Sequence, residues 1–406
     1  TRSIASEPSS DITAEFTRNM KREINMDYVD FAAELMKKMV SVPSESQNEE
    51  ELALYLCEYL ANIGMEAKLH RIEGKSCNVV AKLSGNNTGT RKLLMGGHID
   101  TVTADRAWTF NPLQVRETSD KYFGLGCGDM KGGLASQIAV LAKLMAEGFE
   151  FDGEIILLGL CDEERHSIGA LDYVRMVRES GERPADFGIF AEPHFDNVVV
   201  GATGKVYLNI EVTGATGHAA TPEKGINAIS CMSAFLAEVD RRYGRLYEQG
   251  KAASHSALGI ESRSEGYSLK IPDWCRCMMN KQLDTAETPE GFIADLKRIY
   301  EETVGRGEIS VKREIPFYPS YVMDTDNADF RALIHTIETV GGFSPELRIN
   351  QSVSDGNILY HQLGIPVVLF GPQGVNFHKA GEYVVKETIG RYMRILEKYI
   401  REFFCD

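Results

Sequence analysis

The sequence lacks long apolar runs, and this absence argues against a transmembrane helix. None of its apolar stretches approaches the roughly 20 residues that a transmembrane helix needs. The N-terminal segment contains scattered polar residues and no apolar core of a signal peptide, so we expect residues 1–24 to form a poorly ordered lead-in. The eight cysteines are scattered, and Cys57, Cys161 and Cys231 stand in apolar runs, which is typical of reduced core thiols. We therefore expect a cytoplasmic protein.

Two further absences narrow the classes of function. Basic residues are too few for a nucleic-acid-binding protein, because 44 Lys and Arg face 59 Asp and Glu and the net charge is −15. A G-x-G-x-x-G segment between an early strand and a helix is missing, which argues against a dinucleotide-binding oxidoreductase. The 406 residues contain no evident internal repeat, and their length allows two domains.

The pattern of apolar residues predicts two regions with different orders of helices and strands. Up to about residue 200, helices and strands alternate, which predicts an α/β fold with a mostly parallel sheet and helices on both faces. The predicted helices are 27–40, Glu49–Ile63 and Leu134–Met145. The α/β pattern returns after Pro319, with a helix at Ala328–Val340, strands at Glu346–Asn350 and Pro366–Phe370, and a last helix from about Lys386.

The region between these two parts has a different order of elements. We predict strand Val206–Val212, helix Asn227–Tyr243, strands Tyr267–Ile271 and Trp274–Leu283, helix Pro289–Thr303 and strand Glu308–Ile315. This β-α-β-β-α-β order is the ferredoxin-like pattern. We therefore expect an α+β domain at 205–317, inserted into a larger domain made of 1–204 and 318–406.

Metal-ligand side chains follow predicted strands at the point where each strand ends. His98 and Asp100 follow Leu93–Met95, an acidic triplet at 162–164 follows Ile155–Leu160, Glu192 follows Phe187–Ala191, and His378 ends the Gly-rich loop after Val367–Phe370. Asp129 precedes a further helix within Gly126–Gly133. Sites in open α/β sheets form outside the carboxyl ends of the strands, so these side chains can converge. Such a set suits two divalent metal ions that share one carboxylate.

Each of these residues, taken alone, has a simpler explanation. In the metal-site interpretation, Asp100 would accept a hydrogen bond from the second ring nitrogen of His98. Alternatively, His98 could be a partly buried histidine beside a structural Asp100, and Asp129 could be a helix N-cap. The acidic triplet could be a solvated loop, although the run before it is too apolar for an exposed edge. Crowded like charges are costly unless a cation neutralises them. Successive side chains point in opposite directions, so we expect one of Glu163 and Glu164 to ligate and the other to face substrate.

The remaining histidines give weaker signals. His166 and His194 lie near the ligand segments without an evident partner, and we interpret both as peripheral. His335 and His361 stand on predicted helices and are interpreted as structural. His218 lies in the Gly-rich segment Gly214–Ala220, where a histidine is more often structural than catalytic.

The ordered set of motifs resembles the zinc-dependent aminoacylase and carboxypeptidase family, which includes acetylornithine deacetylases and succinyl-diaminopimelate desuccinylases. The resemblance extends from His98 to Tyr383, and each motif alone is weak. It implies that five side chains hold two metal ions. His98 and Glu192 would hold one ion, Glu164 and His378 the other, and Asp129 would bridge both.

The resemblance also implies catalytic and substrate-binding roles. Glu163 would be the general base, Asp100 would orient His98, and His218 would reach across a dimer interface to stabilise the oxyanion. Asn227 matches a residue near the substrate, and Ser354 begins a Ser-Asp turn near the site.

The sequence departs from the family at the substrate carboxylate anchor. Gln282 stands where the family usually has an arginine, and Lys281 or Arg276 would have to substitute for it. Gly381 replaces a frequent asparagine, whereas Glu382 fits the pattern.

These observations lead to one expected function and two alternatives. We expect a metal-dependent amidohydrolase that removes an acyl group from an N-acyl amino acid, with two zinc ions (cobalt or manganese being the alternatives) and a homodimer formed through the inserted domain. A dipeptidase or carboxypeptidase with the same chemistry is the first alternative. A metal-stabilised binding protein without catalysis is the second. The sequence does not identify the acyl group or the amino acid.

Overall fold

The structure is a computed structural model that describes residues 27–86, 89–262 and 269–405. Two sequence predictions fall wholly or partly outside the described residues. They are the lead-in at 1–24 and the first two residues, Tyr267 and Ser268, of the strand predicted at Tyr267–Ile271. The chain divides into two compact units. The first contains the residues up to Val200, Met323–Arg348 and those from Ile358 onward, and the second contains Gly201–Val322 and Ile349–Asn357.

Helices and strands have the following bounds in the described residues. The helices are Tyr28–Ser41, Glu50–Asn62, Gly132–Ala146, Ile168–Ser180, Ala228–Glu248, Pro289–Thr303, Ala328–Thr336, Asp355–Leu363 and Lys386–Phe403. The strands are β1 Glu66–Glu73, β2 Ser76–Ser84, β3 Lys92–His98, β4 Arg116–Glu117, β5 Lys121–Phe123, β6 Glu154–Leu160, β7 Phe187–Phe190, β8 Asn197–Ala202, β9 Gly204–Thr213, β10 His255–Ser262, β11 Trp274–Leu283, β12 Glu308–Arg313, β13 Tyr321–Val322, β14 Glu346–Asn350, β15 Val367–Leu369, β16 Gly374–Val375 and β17 Tyr383–Val385.

The main sheet has a parallel centre and antiparallel flanks. Its strand order is β1-β2-β6-β3-β7-β15-β8-β13, with β14 also paired to β8. Strand β3 runs parallel to both β6 and β7, and β15 runs parallel to β7. Strands β6, β3 and β7 therefore end side by side at the same edge of the sheet, as the sequence pattern predicts.

Helices cover both faces of this sheet because its central strands are apolar on both sides. On one face, Val79 and Ala81 of β2 join the core that includes Met36, Leu52 and Leu134 from three helices. On the opposite face, Val80 of the same strand lines a groove with Tyr173 of helix Ile168–Ser180. Alternate residues of one strand thus pack against different layers. The predicted fold class is confirmed.

A small sheet in the first unit joins distant parts of the chain. Its strand order is β16-β17-β5-β4, so β17 pairs with β5 although the two are more than 250 residues apart in sequence. The connection between β16 and β17 carries His378, and the segment after β5 carries Asp129. This sheet therefore brings these two segments together.

The second unit has the ferredoxin-like order of elements. Its four strands form an antiparallel sheet in the order β10-β11-β9-β12. Alternate residues of β9, from Val206 to Val212, pack with Phe235 and Leu296 of the two helices. Side chains cap both helices, since Asn227 accepts from Ile229 and Ser230 N–H and Thr288 accepts from Gly291 N–H.

Two details differ from the sequence prediction. The first strand of the predicted central pair lies at His255–Ser262 instead of Tyr267–Ile271; residues 269–271 form only an isolated bridge, between Lys270 and His218. The second unit also contains more of the chain than the predicted insertion of 205–317, because it begins at Gly201, ends at Val322 and includes Ile349–Asn357. None of the described helices is long and apolar enough to cross a bilayer.

Candidate metal centre

Five side chains form two ligand clusters that share one residue. One cluster contains His98, Asp129 and Glu192, the other contains Asp129, Glu164 and His378, and in each the ligand atoms lie within 4.8 Å of one another. Asp129 Oδ1 lies 3.1 Å from His98 Nε2, and Asp129 Oδ2 lies 3.4 Å from His378 Nε2. One carboxylate thus faces both clusters. The structure brings together all five side chains that the sequence singled out as ligands.

The ring of His98 is oriented so that Nε2 faces the cluster and can bind a metal ion. His98 is the last residue of β3 and is buried. Its Nδ1 lies 3.0 Å from the backbone carbonyl oxygen of Asp100 and 3.5 Å from the Asp100 carboxylate. Since a carbonyl oxygen can only accept, Nδ1 carries a hydrogen and Nε2 is the ligand atom. The oxygen nearest to this ring nitrogen thus belongs to the backbone of Asp100, and its carboxylate lies farther away.

The Asp100 carboxylate instead organises the neighbouring acidic loop. Its two oxygens accept hydrogen bonds from the backbone N–H groups of Glu163, at 3.1 Å, and Glu164, at 3.2 Å. Ser46 Oγ donates to the same carboxylate at 2.7 Å. Asp100 therefore fixes the end of β3 against the loop that follows β6. These hydrogen bonds fix the backbone positions from which the side chains of Glu163 and Glu164 project.

Glu163 and Glu164 take different positions, as their succession in the chain predicts. Glu164 belongs to a ligand cluster, and its Oε1 lies 2.9 Å from His378 Nε2. Glu163 is partly buried and, in the part of the chain that is described, belongs to neither cluster. Glu163 is thus placed beside the clusters without being one of their ligands.

Asp129 is not a helix N-cap. It has non-helical backbone angles (φ −116°, ψ 95°), and the helix begins three residues later at Gly132. Gly128 allows a close approach, because a Cβ there would lie 3.1 Å from the Tyr383 carbonyl oxygen. The surrounding loop therefore presents the carboxylate of Asp129 to both clusters.

Glu382 holds this loop in place. It is buried, and its carboxylate accepts backbone hydrogen bonds from Gly126 at 3.0 Å, Gly128 at 2.9 Å and Asp129 at 3.0 Å. Burial raises the pKa of Glu382 to about 7. From the sequence alone, Glu382 only fits the family pattern, because its three backbone partners lie more than 250 residues away in the chain.

Glu192 belongs to the first cluster, and the backbone just before it packs closely against the start of a helix. It follows β7, the neighbour of β3, and only 8% of the residue is exposed. A Cβ at Gly133 would lie 2.0 Å from the carbonyl oxygen of Ala191, so only glycine lets the helix Gly132–Ala146 begin so close to this strand end.

The electrostatics of the site indicate that cations belong there. Burial lowers the pKa of His98, but its hydrogen bonds to Asp100 and Asp129 outweigh this effect and hold the pKa well above its usual value. The hydrogen bonds of His378 to Asp129 and Glu164 raise its pKa to about 10. Among the described residues, the ion-pair partners of Asp129 and Glu164 are these two histidines only. Without metal, protons on the histidines take the place of the cations.

The donor set fits two divalent metal ions. Each cluster combines imidazole nitrogen with carboxylate oxygen, which suits zinc as well as cobalt and manganese. One ion would be held by His98, Asp129 and Glu192, and the other by Asp129, Glu164 and His378. Because the histidines must lose protons to ligate, metal binding would weaken as the pH falls.

The remaining predicted site residues lie in the second unit. His218 is exposed, and its Nδ1 accepts from Ala220 N–H at 3.1 Å, so Nε2 carries the hydrogen and is available to donate. Asn227 caps its helix, which occupies the side-chain oxygen. Ser354 is buried, and its Oγ accepts from Gly356 N–H at 3.2 Å.

Lys281 is placed unfavourably for binding substrate. Its side chain is fully buried, and Nζ donates to the carbonyl oxygens of Ala253 and Gln282 and to Glu287 Oε1, at 3.0, 2.7 and 2.6 Å. All three hydrogens of the ammonium group are therefore used within the second unit. This engagement argues against Lys281 as the substrate carboxylate anchor, and Arg276 is paired with Glu261.

Known proteins are similar to this chain in sequence and in fold. The acetylornithine deacetylase of Vibrio vulnificus is 28% identical over 383 residues, which cover 89% of this chain and 94% of that protein. The succinyl-diaminopimelate desuccinylase of Wolbachia pipientis wMel is 23% identical over 382 residues, which cover 91% and 93%. The crystal structure of a tripeptidase from Staphylococcus aureus has the same fold, with a TM-score of 0.75, 21% identity, and coverage of 92% of this chain and 98% of that one.

The relatives are hydrolases of amide bonds, and the paired ligand clusters of this chain fit a metal-dependent enzyme of that class. The model of the family described as Peptidase family M20/M25/M40 matches residues 94–402, which is most of the chain. The protein therefore belongs to this family, and the resemblance noted in the sequence is confirmed.

Proposed function

We propose that this protein hydrolyses the amide bond of an N-acyl amino acid, as a deacetylase or desuccinylase, with two divalent metal ions, zinc first among them. The observation that carries the proposal is the carboxylate of Asp129, which directs one oxygen toward His98 and the other toward His378. A carboxylate shared between two ligand clusters would hold two metal ions close together, as in dinuclear hydrolytic centres. Relatives named for deacetylation and desuccinylation, aligned over nearly their whole length, support the acyl amino acid class.

The metal ions would supply a water molecule of lowered pKa and polarise the substrate carbonyl. Glu163, beside the clusters but in neither of them, would accept the proton of this water and return it to the leaving amine. Asp100 fixes the backbone from which Glu163 projects, so the base starts from a defined position.

The second unit would contribute a hydrogen-bond donor and substrate contacts. Because Nδ1 of His218 accepts a backbone hydrogen bond, its Nε2–H would donate to the oxyanion of an amide attacked in the partner subunit of the proposed dimer. Asn227 retains an amide N–H₂ group for a substrate, since only its oxygen caps the helix. Ser354 would help to bind the substrate indirectly, because its Oγ accepts from Gly356 N–H and stabilises the turn that would contact the substrate.

Assembly and location are further parts of this proposal. We propose a homodimer formed through the second unit, where edge strand β10 exposes Leu258 and Ile260 by 54% and 57%. Exposed apolar side chains on an unpaired edge favour association. We also propose the cytoplasm as its compartment, in keeping with eight free cysteines.

A peptidase is the second candidate. A tripeptidase shares the fold, and dipeptides present the same amide and carboxylate groups as N-acyl amino acids. A metal-stabilised binding protein remains the last alternative, and it requires that Glu163 have no catalytic role.

The deciding experiment measures amine release by protein loaded with zinc, cobalt or manganese. The panel contains N-acetyl, N-succinyl and N-formyl amino acids beside simple dipeptides, and Glu163→Gln is the control. We expect turnover of one N-acyl class, lost by about 10²–10⁴-fold in the variant while two metals stay bound. Preference for dipeptides would select the peptidase. An unimpaired Glu163→Gln variant would remove Glu163 as base, and an inactive wild type with two metals would contradict the enzymatic proposal.

A further inference from the structure

Phe377 lies in a tight turn, directly before the ligand His378. The two residues form the centre of this turn, which a hydrogen bond from Lys379 N–H to the carbonyl oxygen of Asn376 closes at 3.0 Å. Asn376 and His378, which flank Phe377, both have left-handed backbone angles, with φ of 59° and 63°. Non-glycine residues adopt this conformation uncommonly, and strained residues of this kind cluster at functional sites. The turn therefore gives Phe377 a defined position.

The strands on either side hold this turn in place. Val375 of β16 pairs with Tyr383 of β17, and β17 pairs in turn with β5. Directly before β17, the buried Glu382 accepts backbone hydrogen bonds from the loop around Asp129. The turn that carries Phe377 thus begins and ends on backbone that is fixed by distant parts of the same unit.

The ring of Phe377 packs against a metal ligand and is partly exposed. Its centroid lies 5.8 Å from that of the His378 imidazole, and the two ring planes are at 82°. Phe377 is 40% exposed, and within the described part of the chain it belongs to neither hydrophobic core cluster. The Nε2 atom of the same imidazole lies 2.9 Å from Glu164 and 3.4 Å from Asp129. An exposed aromatic ring therefore borders the second ligand cluster.

This ring offers apolar surface at the place where a substrate would bind. Single exposed apolar residues are common on protein surfaces, but Phe377 is distinguished by its strained turn and its contact with a ligand. A substrate whose amide carbonyl reaches the metal ions would bring the groups on either side of that amide close to His378. Burial of an apolar group against the exposed ring is favourable, because it removes apolar surface of both partners from water.

We propose that Phe377 is a specificity-determining residue that binds an apolar group of the substrate next to the scissile amide. The inference rests on the proposed function, because a substrate bound at the metal ions is what places such a group beside His378. The apolar group is either the acyl chain or the amino-acid side chain, since both flank the amide. The ring takes no part in the chemistry, so its loss changes the preference between substrates and leaves metal binding intact.

The test measures how Phe377→Ala changes the preference between substrates that differ only in apolar length. One series changes the acyl group from acetyl to butanoyl on the amino acid that the wild type hydrolyses fastest, and the other changes alanine to leucine under a fixed acetyl group. If dipeptides are hydrolysed fastest, glycine is exchanged for leucine at each position in turn. Phe377→Leu is the conservative variant, and Tyr247→Ala is the control, since Tyr247 is 56% exposed on a helix of the second unit.

Two measurements are made on each series. Amine release gives kcat/KM, and calorimetric titration of metal-loaded Glu163→Gln, with and without Phe377→Ala, gives binding without turnover. We expect the wild type to prefer the longer member of one series by about 5–15-fold, because each methylene buried on the ring contributes about fourfold. Phe377→Ala should reduce this preference to less than about threefold, while metal content and kcat/KM for the shorter member change little. Phe377→Leu should fall between, and Tyr247→Ala should match the wild type.

The responding series identifies the group that contacts the ring. A wild type without such a preference in either series, or a preference that survives Phe377→Ala, would overturn the proposal. An equal loss on the long and short members would also overturn it, because Phe377 would then act only by positioning His378. If the wild type hydrolyses none of the panel, the proposed function itself fails. The titrations then decide alone, and equal affinity for long and short members, or a difference that Phe377→Ala leaves unchanged, would overturn the role of Phe377.

Discussion

At the residue scale, the site depends on one carboxylate that serves two clusters. Asp129 is 12% exposed and reaches His98 with one oxygen and His378 with the other. Burial raises the pKa of Asp129, but the two histidines outweigh this effect and hold it below its usual value. A neutral amide at this position would remove both the negative charge and one of the two ligand oxygens.

We therefore expect Asp129→Asn to bind fewer than two metal ions per chain, with the affinity of any remaining ion lowered by about 10–100-fold. The measurement is metal analysis after dialysis, followed by zinc titration against a competing chelator. Glu163→Gln is the control, because it removes a charge from the same region but from neither cluster. Two tightly bound ions in Asp129→Asn would contradict the bridging role.

At the scale of elements, the site is held by contacts between segments that are distant in sequence. Glu382 fixes the loop around Asp129, and Asp100 fixes the loop after β6. Glu49 adds a third contact: it directly precedes the helix Glu50–Asn62, is buried, and accepts from Asp162 N–H at 3.1 Å and Gln47 N–H at 2.7 Å. Each contact places a buried carboxylate against backbone N–H groups.

Glu49 gives the fold a defined dependence on pH. Burial raises the pKa of Glu49 from 4.5 to about 7. Between these values the folded protein keeps a proton that the unfolded chain has released, so the contribution of Glu49 to stability decreases as the pH rises through this window. We expect Glu49→Gln, which cannot ionise, to gain stability relative to the wild type between pH 5 and pH 8, on the order of 1–2 kcal/mol after allowing for solvent screening.

Urea unfolding of metal-free wild type and Glu49→Gln at both pH values measures this difference. Glu58→Gln, at an exposed position of the same helix, should show no such change with pH. A constant difference between Glu49→Gln and the wild type at pH 5 and pH 8 would show that Glu49 is ionised in the folded protein.

At the scale of the whole molecule, the second unit presents an unpaired edge. Strand β10 has a partner only in β11 among the described strands, and Leu258 and Ile260 on it are more than half exposed. If the proposed homodimer forms along this edge, a charge placed there should disrupt it, because a buried lysine without a partner is strongly disfavoured.

We expect Ile260→Lys to convert a wild-type dimer into a monomer at micromolar concentration, with the mass determined by light scattering after size-exclusion chromatography. Leu54→Lys is the control, since Leu54 is 46% exposed on a helix of the other unit and should leave the mass unchanged. A monomeric wild type, or a dimeric Ile260→Lys, would contradict this interface.

The fold class follows from the sequence pattern alone, and so does the prediction that five side chains with metal-binding chemistry lie together. Period-two and helical patterns are local, so most helices and the longer buried strands can be predicted within a few residues, whereas short strands such as β4, β5, β13, β16 and β17 cannot. Side chains that follow parallel strands are expected to meet at one sheet edge. Strand β10 was misplaced because its exposed residues carry a weak burial pattern.

The contacts of the individual side chains become visible only in the folded chain. Distant contacts determine where the two oxygens of Asp129 lie, how Glu382 holds a loop 253 residues earlier, and why the donors of Lys281 are occupied. Local sequence fixes which element a residue belongs to. The atoms that a side chain meets are fixed by the packing of the complete chain, and no local pattern contains them.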